Sequence, residues 1–377
     1  MSTLENKNTA NASHIDDIKY KIGLSKVATI GPKRLSLLLN YFGSAQNAWS
    51  AARADLEQSG LDDRSIDALV QARSSLNLDA LLETLAKENI RTTMPEQDDY
   101  PPLLNEIYDP PPILYYRGAL PKEHSFSIAV VGTRKNTPYG KIACEQIVAG
   151  LVRSTIVIAS GLAYGIDAIA HQATLDAAGT TIAILGASLE KNNIYPAHNR
   201  SLAERIAESG GALVSEHPPG TPPLKQYFPR RNRIISGISL GVLVVEAPEQ
   251  SGALLTARYA LEQDRDVFAV PGNITSENSL GTNNLIKMGA RPVSEAEDIL
   301  SALNLERAEE YSTASDVVPN TREEAVILDS LTKEPLHVDD IARLTKLAVR
   351  DINAALTLME MKGMVRHMGG MRYCLAR

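Results

Sequence analysis

Ser127-Ile128-Ala129-Val130-Val131-Gly132-Thr133-Arg134 is the stretch on which the fold turns. Its apolar run does not alternate with polar residues, which marks a strand buried on both faces rather than on one. The run ends at a glycine and an arginine, and a helical stretch begins near Pro138. Runs of the same kind recur at Ile156 to Ala159, Thr181 to Leu185, Ala212 to Val214, Leu240 to Val245 and Val267 to Val270, with helical stretches between them. That alternation predicts an α/β fold with a doubly wound parallel sheet. Glycines and polar residues gather at the carboxyl ends of the runs, where open α/β sheets place their ligands.

On the amino-terminal side, apolar residues from Ile15 to about Arg91 recur at three- and four-residue spacing: Leu35, Leu38 and Leu39, then Ile66, Leu69 and Val70, then Leu78, Leu81, Leu82 and Leu85. This predicts a small helical domain. Within it, Val27-Ala28-Thr29-Ile30-Gly31-Pro32-Lys33-Arg34 resembles the turn of a helix-hairpin-helix, where a glycine lets backbone amides approach a phosphate. The match is short and lacks the earlier glycine, so plain helical packing stands beside it. Pro95 to Leu120 is dense in proline and tyrosine and predicts an extended, irregular but ordered strap.

Beyond Leu305 a polar stretch is followed by helical patterns at Arg322 to Leu331, Val338 to Leu344 and Val349 to Lys362, then by two short strand-like runs about Gly369-Gly370. Three helices and a hairpin predict a winged helix. The expected division is therefore a disordered tail over 1–14, a helical domain of the SAM/helix-hairpin-helix type over 15–93, an extended Rossmann-like sheet domain over 94–305, a linker over 306–320 and a winged helix over 321–377.

Of the 377 residues, 44% are hydrophobic, enough to build cores for two or three domains. Cys144 and Cys374 are the two cysteines and lie far apart, which suggests neither a disulfide framework nor a cysteine metal site and fits a reducing cytoplasm. The opening residues lack the basic start and apolar run of an export signal, and no run is long enough to span a bilayer. A net charge of -7 argues against coating nucleic acid by bulk attraction, yet it leaves room for a local basic patch. Aromatics make up 5% of the chain, so a base-stacking surface has few candidates.

The first rim loop, Gly132-Thr133-Arg134 before the helix near Pro138, reads as a phosphate cradle: close backbone approach, a helix start and a fixed charge, or else a tight turn with an exposed arginine. It lacks the later glycines of a dinucleotide fingerprint, and Gly140-Lys141 is followed by Ile142, so it is not a P-loop. Ser160-Gly161 with Gly165-Ile166-Asp167 again suggests anion recognition at a helix start. Asp167 and His171 share a helix face and could form an acid/base pair, but the sequence favours a cap for Asp167 and packing for His171. Tyr195 is a stacking group or a lid. Lys225 to Arg233 is the most basic short stretch of the sheet domain and places Arg230, Arg231 and Arg233 beside Tyr227 and Phe228, combining phosphate attraction with a surface for a base. Arg233 could instead pair internally with Glu216 or Glu246. Ser251-Gly252 and Gly281-Thr282-Asn283 complete a set of glycine-bearing helix starts that suits a polyphosphate better than a small metabolite.

Taken in order, these segments together with Ala170-His171, Tyr195-Pro196, Asn199, Phe228-Pro229, Ile234-Ile235-Ser236-Gly237, Val245-Glu246-Ala247 and Pro271-Gly272 resemble the DNA-processing protein A (DprA/Smf) family over roughly Tyr100 to Leu305. The resemblance implies a core that binds single-stranded DNA without base preference, dimerises, and interacts with RecA during natural transformation, protecting incoming DNA and loading the recombinase. It implies no catalysis, cofactor or metal, and it assigns Arg134 and the arginines of 230–233 to the DNA pocket. With the loop readings above, the expected DNA-binding set is Gly132, Thr133, Arg134, Ser160, Gly161, Lys225, Phe228, Arg230, Arg231, Asn232, Arg233, Ser251, Gly252 and Asn283. The loop from Gly186 to Tyr195 is longer than the family's usual glycine-bearing version.

The alternative is a nucleotide phosphoribohydrolase of the lysine-decarboxylase-like Rossmann type, which uses a P-G-G-x-G-T-x-x-E pattern. Here Asn273 follows Pro271-Gly272, and Asn284 and Leu285 stand where the catalytic glutamate would be sought. A duplex-binding transcription factor is the third reading, but Arg343, Lys346 and Arg350 are offset by Asp339, Asp340 and Asp351.

Overall fold

A computed structural model describes residues 17–121, 126–305, 321–331, 336–361, 365–368 and 371–375. The tail expected over 1–14, the linker over 306–320 and the Gly369-Gly370 turn lie outside the described residues. The chain divides into two compact units, Met1–Leu303 and Asn304–Arg377.

The first unit is built on a sheet with strands β1 (Arg91–Thr93), β2 (Leu114–Gly118), β3 (Ser127–Val131), β4 (Val157–Ser160), β5 (Thr181–Ile184), β6 (Ala212–Ser215), β7 (Gly241–Val244), β8 (Asp266–Ala269) and β9 (Arg291–Pro292). Their order is β1-β2-β6-β5-β4-β3-β7-β8-β9. From β6 to β9 every pairing is parallel, whereas β1, β2 and β6 pair antiparallel. All residues of β3 to β7 are buried, as unbroken apolar runs require. The strap between Pro95 and Leu120 differs from expectation: its Leu114, Tyr115 and Tyr116 are buried in β2, which caps the edge that β6 would otherwise expose.

Helices α1 (17–26), α2 (Pro32–Phe42), α3 (Ala45–Ser50), α4 (Arg53–Gln58), α5 (Asp63–Ser75) and α6 (Leu78–Lys87) precede β1, and α7 (Pro102–Asn105), α8 (Pro138–Arg153), α9 (Ile166–Asp176), α10 (Arg200–Glu208), α11 (Tyr227–Gly237), α12 (Gly252–Glu262), α13 (Leu280–Lys287) and α14 (Ala296–Ala302) are interspersed with or follow the later strands. One sheet face packs Ala129, Val131, Ile182, Ile184, Val242 and Val244 against Ile234, Ile235 and Ile238 of the α11 region and Ala253, Ala257 and Ala260 of α12. On the other face Ala183 and Leu213 meet Ile22 of α1, Leu85 of α6 and Ile206 of α10. The amino-terminal helices therefore share a core with the sheet, and burying a side chain such as Ile22 or Leu85 stabilises that join by about 1.5–3 kcal/mol. Helices α2 to α5 close a separate cluster around Trp49 and Leu69.

The second unit has helices α15 (Arg322–Ser330), α16 (Val338–Thr345) and α17 (Val349–Met361) and strands β10 (Leu336–His337), β11 (Val365–His367) and β12 (Arg372–Leu375) in the order β10-β12-β11. This is a winged helix, with Ile327, Ile341, Ile352, Leu356 and Met359 at its centre. Among the described residues no helix is long and apolar enough to cross a membrane.

Candidate nucleic-acid interface

Chain order runs outward from β3 in both directions, through β4 on one side and from β7 on the other, so the sheet's switch point lies between β3 and β7. The loops that leave these two carboxyl ends frame a cleft of about 770 Å³. The 132–135 loop, the first turns of α11 and α12, and Tyr195 line it.

The loop after β3 has two parts of opposite character. Its end, at the start of α8, is closed by Glu246, two residues past β7: the Glu246 carboxylate accepts from Thr137 N at 2.8 Å and from Thr137 Oγ1 at 2.5 Å. A side-chain carbon at Gly140 would lie 2.1 Å from Glu246 Oε2, so glycine makes room for the carboxylate at the start of α8. The helix start expected to hold a phosphate is thus filled by the protein's own anion. Gly132 and Thr133 still line the cleft, and the Thr133 amide donates to the Glu246 carbonyl at 2.7 Å. Arg134 and Lys135 project from the same loop, exposed, with no side-chain hydrogen bond or ion pair among the described residues.

The second loop repeats the pattern. Asp167 Oδ2 accepts from Gly161 N at 3.2 Å and Ala163 N at 3.3 Å, taking amides that an external anion would need. Burial raises the Asp167 pKa, opposed by the Arg231 guanidinium beside it and by those two amides. Ser160 is fully buried and its hydroxyl donates to the Val130 carbonyl at 2.6 Å, which corrects the expectation that it contacts DNA. His171 is buried with Nδ1 2.7 Å from Thr181 Oγ1, and burial drives its pKa down to about 3. Asp167 takes two backbone amides and His171 Nδ1 meets Thr181, and no hydrogen bond joins the two side chains.

On α11 the arginines separate by direction. Arg231 is buried, with Nη1 donating to the Gly161 carbonyl at 2.6 Å and to the Ile184 carbonyl, and so ties the ends of β4 and β5 together beneath the cleft. A side-chain carbon at Gly161 would stand 2.5 Å from that guanidinium, so Gly161 is glycine for packing and both its backbone polar groups are taken. Burial lowers the Arg231 pKa to about 10, leaving it cationic at neutral pH. Arg233 is also buried, between Glu216 at 2.7 Å and Asp109 at 3.0 Å, outside the cleft. Of the two glutamates that the sequence offers it, Glu216 is the partner. Arg233 is structural, a correction to its expected place among the phosphate contacts, because it is buried against Glu216 and Asp109 away from the cleft; Arg231 holds two carbonyls and still lines the cleft. Arg230 is exposed and does not line the cleft.

Lys225 is exposed on the cleft, and Phe228 lies 5.6 Å from Tyr195 between ring centroids at 50°. Asn232 donates to the Gly252 carbonyl at 3.2 Å, joining α11 to the start of α12. Ser251 and Gly252 line the cleft, and a side-chain carbon at Gly252 would meet nothing within 4 Å. Asn283 instead braces the Pro271-Gly272 turn, accepting from Gly272 N at 3.2 Å and donating to its carbonyl at 3.1 Å. Lys135 is the cleft cation that sequence reasoning missed, although its place next to Arg134 in a rim loop was a usable signal.

The model of the family described as DNA recombination-mediator protein A matches residues 91–304, and that of the DprA winged helix domain matches 312–371. Protein Smf of Synechocystis is 36% identical, spanning 94% of this chain and 98% of its own length, and Protein Smf of Escherichia coli is 40% identical over 84% and 85%. Among solved structures, DNA processing protein A from Streptococcus pneumoniae superposes with a TM-score of 0.63 at 35% identity, covering 75% of this chain and 95% of that one. The Helicobacter pylori DNA processing protein A, described for its single-stranded DNA binding mode, superposes with a TM-score of 0.51 at 29% identity, covering 58% and 96%.

Proposed function

The chain belongs to the DNA recombination-mediator protein A family, and we propose that it is a non-enzymatic mediator whose switch-point cleft grips single-stranded DNA, shields it and passes it to the RecA recombinase during natural transformation. The observation that carries this reading is the trio Arg134, Lys135 and Lys225, exposed and without a close ion pair among the described residues around a cleft walled by Phe228 and Tyr195. Unpaired cations release counterions when they meet phosphates, and aromatic faces take bases of any sequence. The Helicobacter pylori relative supports the choice of a single strand. A cytoplasmic homodimer, working through a sheet domain over 94–305 flanked by helical and winged-helix domains over 15–93 and 321–377, completes the proposal.

Fluorescence anisotropy with an oligothymidylate, in competition with duplex of the same length, tests it. The single strand is expected to win, with a log-log salt slope of about -0.7 for each phosphate contact. Wild-type affinity in the Arg134→Ala/Lys135→Ala variant would refute the cleft as the binding site. Release of free base from nucleoside monophosphates would establish a hydrolase instead.

A further inference from the structure

A strip of surface outside the cleft carries the same chemistry. Arg230 stands exposed on α11 with no ion pair among the described residues. One turn further, Arg233 reaches the strap through Asp109 at 3.0 Å. The residue before it, Tyr108, is 86% exposed, yet its segment is pinned on both sides: Ile107 is buried near Gly237, and Asp109 is held by Arg233. A ring so placed is held out from the surface rather than left loose. Lys33 Nζ lies 4.5 Å from the Tyr108 ring centroid and 2.8 Å from its hydroxyl. That lysine comes from the 27–34 hairpin, the motif in the amino-terminal helices for which the cleft gives no use. Toward the cleft, Tyr227 adjoins Phe228 in sequence and its ring packs on His217 with centroids 4.2 Å apart, beside Arg230.

The acidic groups along the strip are paired with cations, although Asp109 and Glu216 share the single charge of Arg233 and keep one negative charge between them. Asp109 and Glu216 both face Arg233, Asp62 pairs with Arg34 at 2.5 Å, and Glu106 pairs with Arg265 at 2.9 Å. Lys33 and Arg230 are exposed cations on it without an ion pair among the described residues, with Asp109 acting on Lys33 at longer range. Cations alternating with exposed rings are what a sequence-tolerant single strand requires, and the strip continues from the cleft along one helix.

Resting on the cleft reading above, we infer that a single strand leaving the cleft runs along α11 and over the strap, with Arg230 and Lys33 meeting phosphates and the Tyr108 ring taking a base. The occupant is single-stranded DNA rather than a protein because the strip offers exposed cations beside an exposed ring, the pair of contacts a strand of phosphates and bases takes.

The test uses the full chain and labelled oligothymidylates of about 6 and about 20 nucleotides, lengths that bracket the site sizes of comparable stacking platforms. Tyr108→Ala/Lys33→Ala should bind the short oligomer like wild type and the long one about tenfold more weakly, the loss expected of a stacked base and one phosphate contact. Tyr108→Phe, which keeps the ring, should restore most of that loss in the presence of Lys33. Unchanged affinity for the long oligomer, equal losses at both lengths, or a Tyr108→Phe variant as weak as Tyr108→Ala would each overturn the inference. If Tyr108→Ala/Lys33→Ala lost only a protein partner while DNA binding held, the strip would be a protein-docking surface and the inference would again fail. The cleft reading fails separately, when Arg134→Ala/Lys135→Ala binds both lengths normally.

Discussion

Two sets of basic side chains surround the cleft, one on the loop after β3 and one on α11, and they differ in what encloses the charge. Arg134 and Lys135 are exposed without a hydrogen bond or close ion pair among the described residues, while Arg231, buried at the cleft lining, is held by the Gly161 and Ile184 carbonyls and faces Asp167. Removing an ion from water costs several kcal/mol, which only fixed internal partners offset. A guanidinium so held is fixed in place and cannot leave its partners without that cost. The contrast therefore assigns two tasks to one residue type: α11 fixes the cleft floor, and the rim loop supplies the exchangeable charge.

The contrast is broken most directly at the floor. Arg231→Ala should lower unfolding free energy in urea by about 3–5 kcal/mol, because it leaves Asp167 and two carbonyls without their cation. Normal stability with lost DNA binding would erase the distinction. Gly161→Ala should cost about 1–3 kcal/mol by pushing on the same guanidinium, measured in the same way, with the Arg134 side free of change.

His171 sharpens the comparison through pH, since it is buried near the same floor and has its pKa depressed to about 3. A depressed pKa means that the unfolded chain takes up the proton first. The stability from neutral burial is complete above pH about 6.5 and is lost as pH falls toward 3, at up to about 1.4 kcal/mol per unit. Calorimetry on His171→Gln should show a shallower acid slope than wild type. The smallest effect belongs to the rim: Arg134→Ala/Lys135→Ala should change stability by less than about 0.5 kcal/mol, while flattening the salt slope of DNA binding by about 1.4.

The interior of the sheet was legible because strands buried on both faces leave unbroken apolar runs, and β3 to β8 lie where those runs stand. The edge was not. β1 and β9 are too short to carry a pattern, and β2 is hidden among prolines and recognisable as a strand only through its pairing with β6. The loops misled for a related reason. Gly132 to Thr137 and Ser160 to Asp167 have the composition of anion cradles, and local sequence does not say that Glu246, from the loop after β7, fills the first while Asp167 folds back on the second. Likewise Arg230, Arg231 and Arg233 look alike in a string, whereas the helix turns Arg231 and Arg233 inward and Arg230 out.

The carboxylate of Glu246 at the start of α8 also bears on what can dock at this rim. In sheets of this winding a dinucleotide's pyrophosphate docks against the helix that follows the first strand at the switch point. Here a resident negative charge meets it there. A pyrophosphate brought to that helix start would face a like charge and amides already in use.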